Sequence, residues 1–353
     1  MTRTYISGAD TMMPPVSGRF NIGCELTEED DKEVWCDYET LIRQQWPGYE
    51  VMGFLGRGGN AYVYEIARMD STGDARYAVK VIPVSEKAED PKLLRQEGRP
   101  NEEITQYPGR RMKEVSREVQ VMRILKGHPH IVSIEDFSVI RVRELTDSCM
   151  LIRMELLKPF RLWHEQHSEL IQENIARIGV ELCRAVEHCH NSKIIHRDIK
   201  LDNIFVNAEN HFKLGDFGYA WMVESDQPEY FPMGVAMKNV PEGYTKYLDP
   251  RNFESLMKAE IYSVGMVLYK LLNADTDPFL PTDRLATPME RESAKEVRMR
   301  GILPVPPPMH ADDVMTKIVL KACAYNPEQR YNSVRALREE LEALSDAFNH
   351  NFY

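Results

Sequence analysis

Two polar clusters separated by a hairpin-length stretch constrain this chain more than any other feature. Ile195-His196-Arg197-Asp198-Ile199-Lys200-Leu201-Asp202-Asn203 is followed, thirteen residues after Asn203, by Asp216-Phe217-Gly218. Between them, 203–206 and 212–214 read as short strands turned by the polar run 207–211. A hairpin of that size brings Asn203 and Asp216 together as oxygen donors. Hard oxygen ligands beside phosphates suit magnesium, which keeps several of its waters and seldom uses an all-protein cage.

Two upstream motifs fit the same chemistry. Leu55-Gly56-Arg57-Gly58-Gly59-Asn60-Ala61-Tyr62-Val63 sits between two predicted strands. Glycines let the backbone approach a polyphosphate and offer N–H groups to its oxygens, although glycine pairs in hairpins also serve simply as turns. A strand rather than a helix follows, which counts against a dinucleotide-binding unit. Tyr77-Ala78-Val79-Lys80-Val81-Ile82 places a lysine in the middle of an apolar strand. Such a lysine ordinarily points to water, but Glu118, on a downstream helix, offers a partner. A buried lysine is tolerable only if paired, and a Lys80–Glu118 ion pair would leave the ammonium to grip phosphates. In this reading Asp198 faces an incoming hydroxyl as base, and Lys200 neutralises the moving phosphoryl group.

The rest of the chain frames these motifs. Residues 1–46 read as an N-terminal extension with a helix capped at Thr27 and carrying Val34, Tyr38, Leu41 and Ile42. Short strands follow from Tyr49, and the charged, proline-punctuated run 84–111 reads as an inserted surface loop. The next helix carries Val115, Val119, Met122 and Leu125 on one face, and helical periodicity dominates from about 169. The pattern is α+β: a small β-rich part with one helix over 47–157, then a larger helical part over 158–353. A formal charge of −11 argues against nucleic acid or an anionic membrane as partner, though a local basic groove is compatible with an acidic average. Neither a signal peptide nor a run of about 18 apolar residues is present, so a cytoplasmic protein is expected. The six cysteines form no C-x-x-C pair and are expected as reduced thiols.

From Tyr49 to about Leu344 these motifs together resemble the eukaryotic-type (Hanks-type) Ser/Thr protein kinase family, with features similar to bacterial members. The resemblance implies a bilobal fold and transfer of the γ-phosphoryl group of magnesium-bound ATP to a protein hydroxyl. Gly56 and Gly58 match the phosphate-covering loop, and Val63 and Ala78 the residues that sandwich adenine. Phe205 and Leu157 join the nucleotide contacts, with Glu155 at the backbone hinge and Met154 guarding the pocket behind it. Lys80 and Glu118 match the phosphate lysine and its helix partner. Asp198 matches the base, Lys200 the lysine typical of Ser/Thr-directed members, and Asn203 and Asp216 the magnesium ligands. His196 matches a packing residue, expected near Phe217.

Several positions depart from the pattern. Ala61 replaces the third loop glycine. Gly243-Tyr244-Thr245-Lys246-Tyr247-Leu248-Asp249-Pro250-Arg251 resembles the substrate-positioning stretch, with Arg251 where a glutamate is usual and Tyr244 ahead of Thr245. The missing glutamate normally pairs with a late arginine, matched here by Arg330. Two buried arginines would repel, so Glu254 is expected as the replacement partner. Glu260 stands where a long buried helix usually opens with aspartate, and its extra methylene is expected to shift contacts near 196–197. Arg197 beside the base implies switching by phosphate between Asp216 and Pro250, with Ser225 and Tyr230 as acceptors. The rival class is a pseudokinase scaffold, kept in view by Arg251 and Glu260 and opposed by the complete set Lys80, Glu118, Asp198, Asn203 and Asp216. A small-molecule kinase ranks below it.

Overall fold

The computed structural model describes residues 19–21, 35–58, 61–70, 73–85, 107–141, 147–167, 170–223, 237, 239–241, 249 and 251–350. Thr27, Gly59, Asn60, most of 84–111, Ser225, Tyr230, Tyr244 and Thr245 lie outside the described residues. The chain divides into two compact units, Met1–Lys87 with Phe137–Arg153, and Ala88–Asp136 with Met154–Tyr353.

The first unit opens with an antiparallel pair, β1 (Arg19–Asn21) and β2 (Trp35–Asp37), and helix α1 (Tyr38–Gln45). Strands β3 (Glu50–Gly58), β4 (Ala61–Asp70) and β5 (Gly73–Ser85) follow as an antiparallel meander. With β6 (Ile134–Arg141) and β7 (Asp147–Glu155) they form a five-stranded sheet in the order β3-β4-β5-β7-β6. Successive strand side chains point to opposite faces. Tyr62, Tyr64, Ile66, Val79, Val81, Cys149 and Leu151 therefore share one face, and α1 closes it with Tyr38, Leu41, Ile42 and the following Trp46. The spacing of Tyr38, Leu41 and Ile42 lays one apolar stripe on the sheet, while Thr40 and Arg43 stay exposed. Residues 38–46, read as part of an appendage, thus belong to the core of this unit. Arg153 adds a polar clamp at its edge, its guanidinium 5.3 Å from the Trp46 ring and 5.1 Å from those of Tyr49 and Tyr77.

In the second unit α2 spans Tyr107–Ile124, so it begins inside the stretch read as a loop. Pro108 falls in its first turn, where a missing N–H costs nothing. The order continues with β8 (Lys158–Pro159), α3 (Phe160–Gln166), α4 (Gln172–Asn191), β9 (Ile194–Ile195), β10 (Ile204–Val206), β11 (Phe212–Leu214) and β12 (Trp221–Met222). The expected hairpin is present: β10 and β11 pair antiparallel, Ile204 opposite Leu214. Helices α5 (Phe253–Leu272), α6 (Pro288–Met299), α7 (Asp313–Ala322) and α8 (Val334–His350) complete the chain. The α+β pattern is borne out, a sheet-rich N-terminal region followed by a helical C-terminal one. None of the described helices is long and apolar enough to cross a membrane. Cys149, Cys183, Cys189 and Cys323 are buried free thiols, and burial pushes the Cys323 thiol up to about 12.

Helix α5 is capped by Asn252, whose side chain accepts from the Ser255 N–H at 3.0 Å, and is buried on nearly all sides, as its composition predicts. Gly265 permits a close approach of α7 to α5. A Cβ built there would lie 2.7 Å from Ala322 Cβ, 2.8 Å from Cys323 Sγ and 3.2 Å from the Ala322 carbonyl carbon. Helix propensity alone would make Gly265→Ala stabilising by about 1 kcal/mol. The clash reverses the sign, and we expect a net loss of about 1–3 kcal/mol in urea denaturation. A gain in stability would show that α5 and α7 can separate at no cost.

Candidate active site

The second unit assembles the polar clusters into one loop. From β9 the chain reaches His196, fully buried, whose Nε2–H donates to the Gly215 carbonyl at 2.9 Å. Its Nδ1 accepts from the Asp198 N–H at 3.3 Å, and its ring meets Phe217 edge-on at 4.8 Å. Both ring nitrogens are committed to structure, so the expected packing role holds. Arg197, 4% exposed, occupies φ +71°, a region that side-chain-bearing residues enter only when the surroundings impose it. Glu260 imposes it: one carboxylate oxygen accepts the Arg197 N–H at 2.7 Å, and the other lies 2.8 Å from His190 Nε2. The longer side chain therefore keeps the main-chain contact and uses its second oxygen on a histidine that the sequence reading did not single out.

Asp198 is the hub of this loop. Its Oδ2 accepts from Lys200 Nζ at 2.7 Å and from Asn203 Nδ2 at 2.9 Å, while its carbonyl accepts from the same amide nitrogen at 2.8 Å. Burial pulls the Lys200 pKa down, but the hydrogen bond to Asp198 and the charges of Asp198, Asp216 and Asp202 outweigh it, and the net shift is upward. Lys200 is therefore a permanent cation. The Asn203 carbonyl accepts from the Gly215 N–H at 2.9 Å, which ties the loop to the residue before Asp216. Asp216 itself adopts φ +59° and is exposed. A Cβ placed on Gly218 would lie 3.4 Å from Asp216 Oδ1 and 3.5 Å from Glu118 Oε2, so these carboxylates flank the glycine. Among the described residues no group of three His, Cys, Asp or Glu side chains is arranged to hold a metal alone.

The hairpin is anchored from below. Glu181, buried on an otherwise apolar face of α4, accepts the Phe212 N–H at 2.7 Å and lies 3.1 Å from His211 Nδ1. The Val132 N–H donates to the Leu214 carbonyl at 3.0 Å, and the Leu214 N–H to His130 at 2.9 Å. Phe205 packs over Gly215, where an added Cβ would meet its ring at 2.9 Å. Glu155 is already engaged: its N–H donates to the Ser133 carbonyl at 3.2 Å, and its carboxylate takes the Ser133 N–H at 2.6 Å and Lys213 Nζ at 2.7 Å.

Of the remaining expected residues, Met154 and Leu157 lie in the second unit, and Gly56, Gly58, Val63, Ala78 and Lys80 in the first. Lys80 stands opposite Val63 in the β4–β5 register, and Ala78 is two residues from it, so the three share the sheet face opposite α1. Gly56 pairs with Val63 and Gly58 with Ala61, and a Cβ at either glycine would meet nothing within 4 Å. That backbone is open to close approach.

A family model described as protein kinase domain matches residues 49–342. The chain belongs to this protein kinase family. The kinase domain is 31% identical over 250 residues to serine/threonine-protein kinase plk-2 of Caenorhabditis elegans, covering 70% of this chain and 33% of that protein. It is 26% identical over 309 residues to serine/threonine-protein kinase PrkC of Bacillus subtilis, covering 85% and 41%. For CBL-interacting serine/threonine-protein kinase 15 of Arabidopsis thaliana the figures are 29% over 229 residues, 64% and 46%. The kinase domain thus spans less than half the length of these relatives, and the Hanks-type resemblance, bacterial members included, is borne out.

One expectation is corrected. Glu254 lies 3.6 Å from Lys258 Nζ rather than against Arg330. The Arg330 guanidinium donates to the carbonyls of Ala324, Lys258 and Tyr325 at 2.7, 2.9 and 3.0 Å and stacks over Tyr262 at 4.8 Å. Arg251 is exposed, so the two arginines are not buried together. Glu254 is one turn before Lys258, and that short helical distance wins over the longer reach.

Glu260→Gln tests the loop anchor. An amide cannot accept strongly from both Arg197 and His190, so we expect a loss of about 1.5–3 kcal/mol in urea denaturation. Unchanged stability would mean that one amide oxygen suffices for Arg197 and that His190 needs no carboxylate. A second expectation concerns pH. Burial, then the charges of His188, His130, Lys213 and Arg184, lower the His128 pKa to about 4. The unfolded chain protonates this histidine near 6.5 while the folded chain does not, so its stabilising contribution is full above 6.5 and lost as pH falls toward 4. His128→Gln should flatten the fall in melting temperature over that window; an unaltered slope would exclude His128 as its source.

Proposed function

We propose that this chain transfers the γ-phosphoryl group of magnesium-bound ATP to serine or threonine hydroxyls of protein substrates. The observation that carries the reading is Asp198, whose carboxylate oxygen is shared by Lys200 at 2.7 Å and Asn203 at 2.9 Å. That arrangement supports a base oriented toward an incoming hydroxyl, with a lysine beside it to offset charge on the moving phosphoryl group. Asp198 takes the hydroxyl proton as the new oxygen–phosphorus bond forms and the bond from the γ-phosphorus to the β–γ bridging oxygen breaks, releasing ADP, and positioning supplies most of the rate.

The donor set fits magnesium. Asn203 spends its amide N–H groups on Asp198, which turns its Oδ1 away from that residue, and Asp216 presents an exposed carboxylate. One amide oxygen and one carboxylate, both hard donors, suit an ion that completes its shell with waters and phosphates. When bound, magnesium would neutralise phosphate charge. Gly56 and Gly58 are assigned to covering the phosphates, Val63, Ala78, Leu157 and Phe205 to enclosing adenine, and Glu155 to the hinge through its carbonyl. Lys80 and Glu118 keep the roles that the resemblance implies for their positions. Lys200 supports a Ser/Thr rather than a tyrosine preference.

The test compares the protein with an Asp198→Asn variant, each given ATP, magnesium and a mixture of serine, threonine and tyrosine peptides. We expect phosphoserine and phosphothreonine, with transfer in the variant lower by about 10²–10⁴. Absence of transfer in both, with nucleotide still raising the melting temperature, would replace the enzyme reading with a nucleotide-binding module.

A further inference from the structure

Against an overall charge of −11, one cavity of about 400 Å³ in the second unit is lined by five cationic side chains and two carboxylates. It lies where the end of α5 and the 273–286 loop meet α6. Arg291, Lys295 and Arg298 recur along α6 at spacings of four and three, so they share the face that lines the cavity. The two carboxylates are already engaged: Asp275 accepts from Arg161 at 2.9 Å, and Asp277 lies 3.5 Å from Lys270. Arg284 is neutralised by Glu290, with nitrogen–oxygen distances of 2.5 and 3.0 Å. Arg291 gives an N–H to the Ala286 carbonyl at 2.9 Å, yet among the described residues neither it nor Arg298 has a carboxylate within ion-pair distance. Like charges gathered in one concavity raise the local concentration of anions.

The position of the cavity narrows what that anion is. Arg161 donates through Nε to Asp202 at 2.5 Å and through Nη1 to Asp275 at 2.9 Å. One guanidinium therefore ties the loop that carries Asp198 and Asn203 to the cavity wall. Asn239, which also lines the cavity, is two residues from Met237, whose N–H donates to the Arg197 carbonyl at 3.3 Å. Both links lead to the residues flanking the assigned base.

We propose that this cavity binds aspartate or glutamate side chains of the protein substrate, so that the chain selects hydroxyls in acidic surroundings. The inference rests on the phosphoryl-transfer reading for the identity of its partner, and on the cavity for the chemistry of recognition. Arginine suits the task because its planar fork meets a carboxylate through two parallel hydrogen bonds.

The experiment reads binding, so it stands apart from turnover. A rhodamine-labelled serine peptide flanked by Asp and Glu is titrated with the Asp198→Asn protein in fluorescence anisotropy, beside the same peptide carrying Asn and Gln. We expect the acidic peptide to bind about tenfold tighter, with the margin shrinking as salt rises. Arg291→Gln, whose exposed side chain holds only a loop carbonyl, should reduce the preference at unchanged melting temperature. Arg298 also acts on the buried Tyr262 hydroxyl, so Arg291→Gln with Arg298→Gln should abolish the preference at a lowered melting temperature. Equal affinity for the two peptides, or a preference that survives in the folded double variant, overturns the proposal. Loss of transfer in the peptide assay would instead strike the kinase reading and leave the binding preference standing.

Discussion

Glu260 is a carboxylate sealed at 1% exposure, with one oxygen committed to the Arg197 N–H and the other to His190. A buried charge of this kind is costly unless every lone pair is used, and a buried amide without an acceptor costs about 1–3 kcal/mol. Each solves the other's problem. The pairing holds Arg197 at a backbone conformation it would not choose, between His196 in the core and the partly buried Asp198. The orientation of Asp198, and through it Lys200 and Asn203, rests on an interaction inside the helical core.

The same logic recurs around the loop. Polar side chains on apolar helix faces act as fixed posts for main-chain groups. Glu181 receives the Phe212 N–H, and Arg330 collects three carbonyls where helix α5, the end of α7 and the following turn meet. Arg161 reaches from α3 to Asp202 and Asp275 and so links the hairpin loop to the segment after α5. The loop is thus held in one geometry by groups outside the Asp198, Lys200 and Asn203 cluster.

The departures from the family pattern read differently once packing is visible. Arg251 is exposed, and Glu260 holds the Arg197 N–H with one oxygen while the other meets His190. Neither disables the cluster around Asp198. In the first unit, α1 seals the sheet face opposite Lys80, so the strand alternation that places Val63, Ala78 and Lys80 on one face is backed by a packed layer of Tyr38, Leu41, Ile42 and Trp46. That layer was only half legible: the apolar spacing of α1 was readable, but its sheet partner was not.

What the amino-acid order determined alone was local. The hairpin between Asn203 and Asp216, the strand alternation around Lys80, the buried run of α5 and the family match all follow from neighbouring residues and short periods, because strand and helix geometry repeat over two to four positions. Tertiary structure decided the partners. His190 against Glu260, Arg161 between Asp202 and Asp275, and the cationic face of α6 over its cavity bring together groups from separate elements. Charge and reach leave many such pairings open in a sequence. Only the packing of helices at fixed distances, down to the missing side chain of Gly265, selects among them.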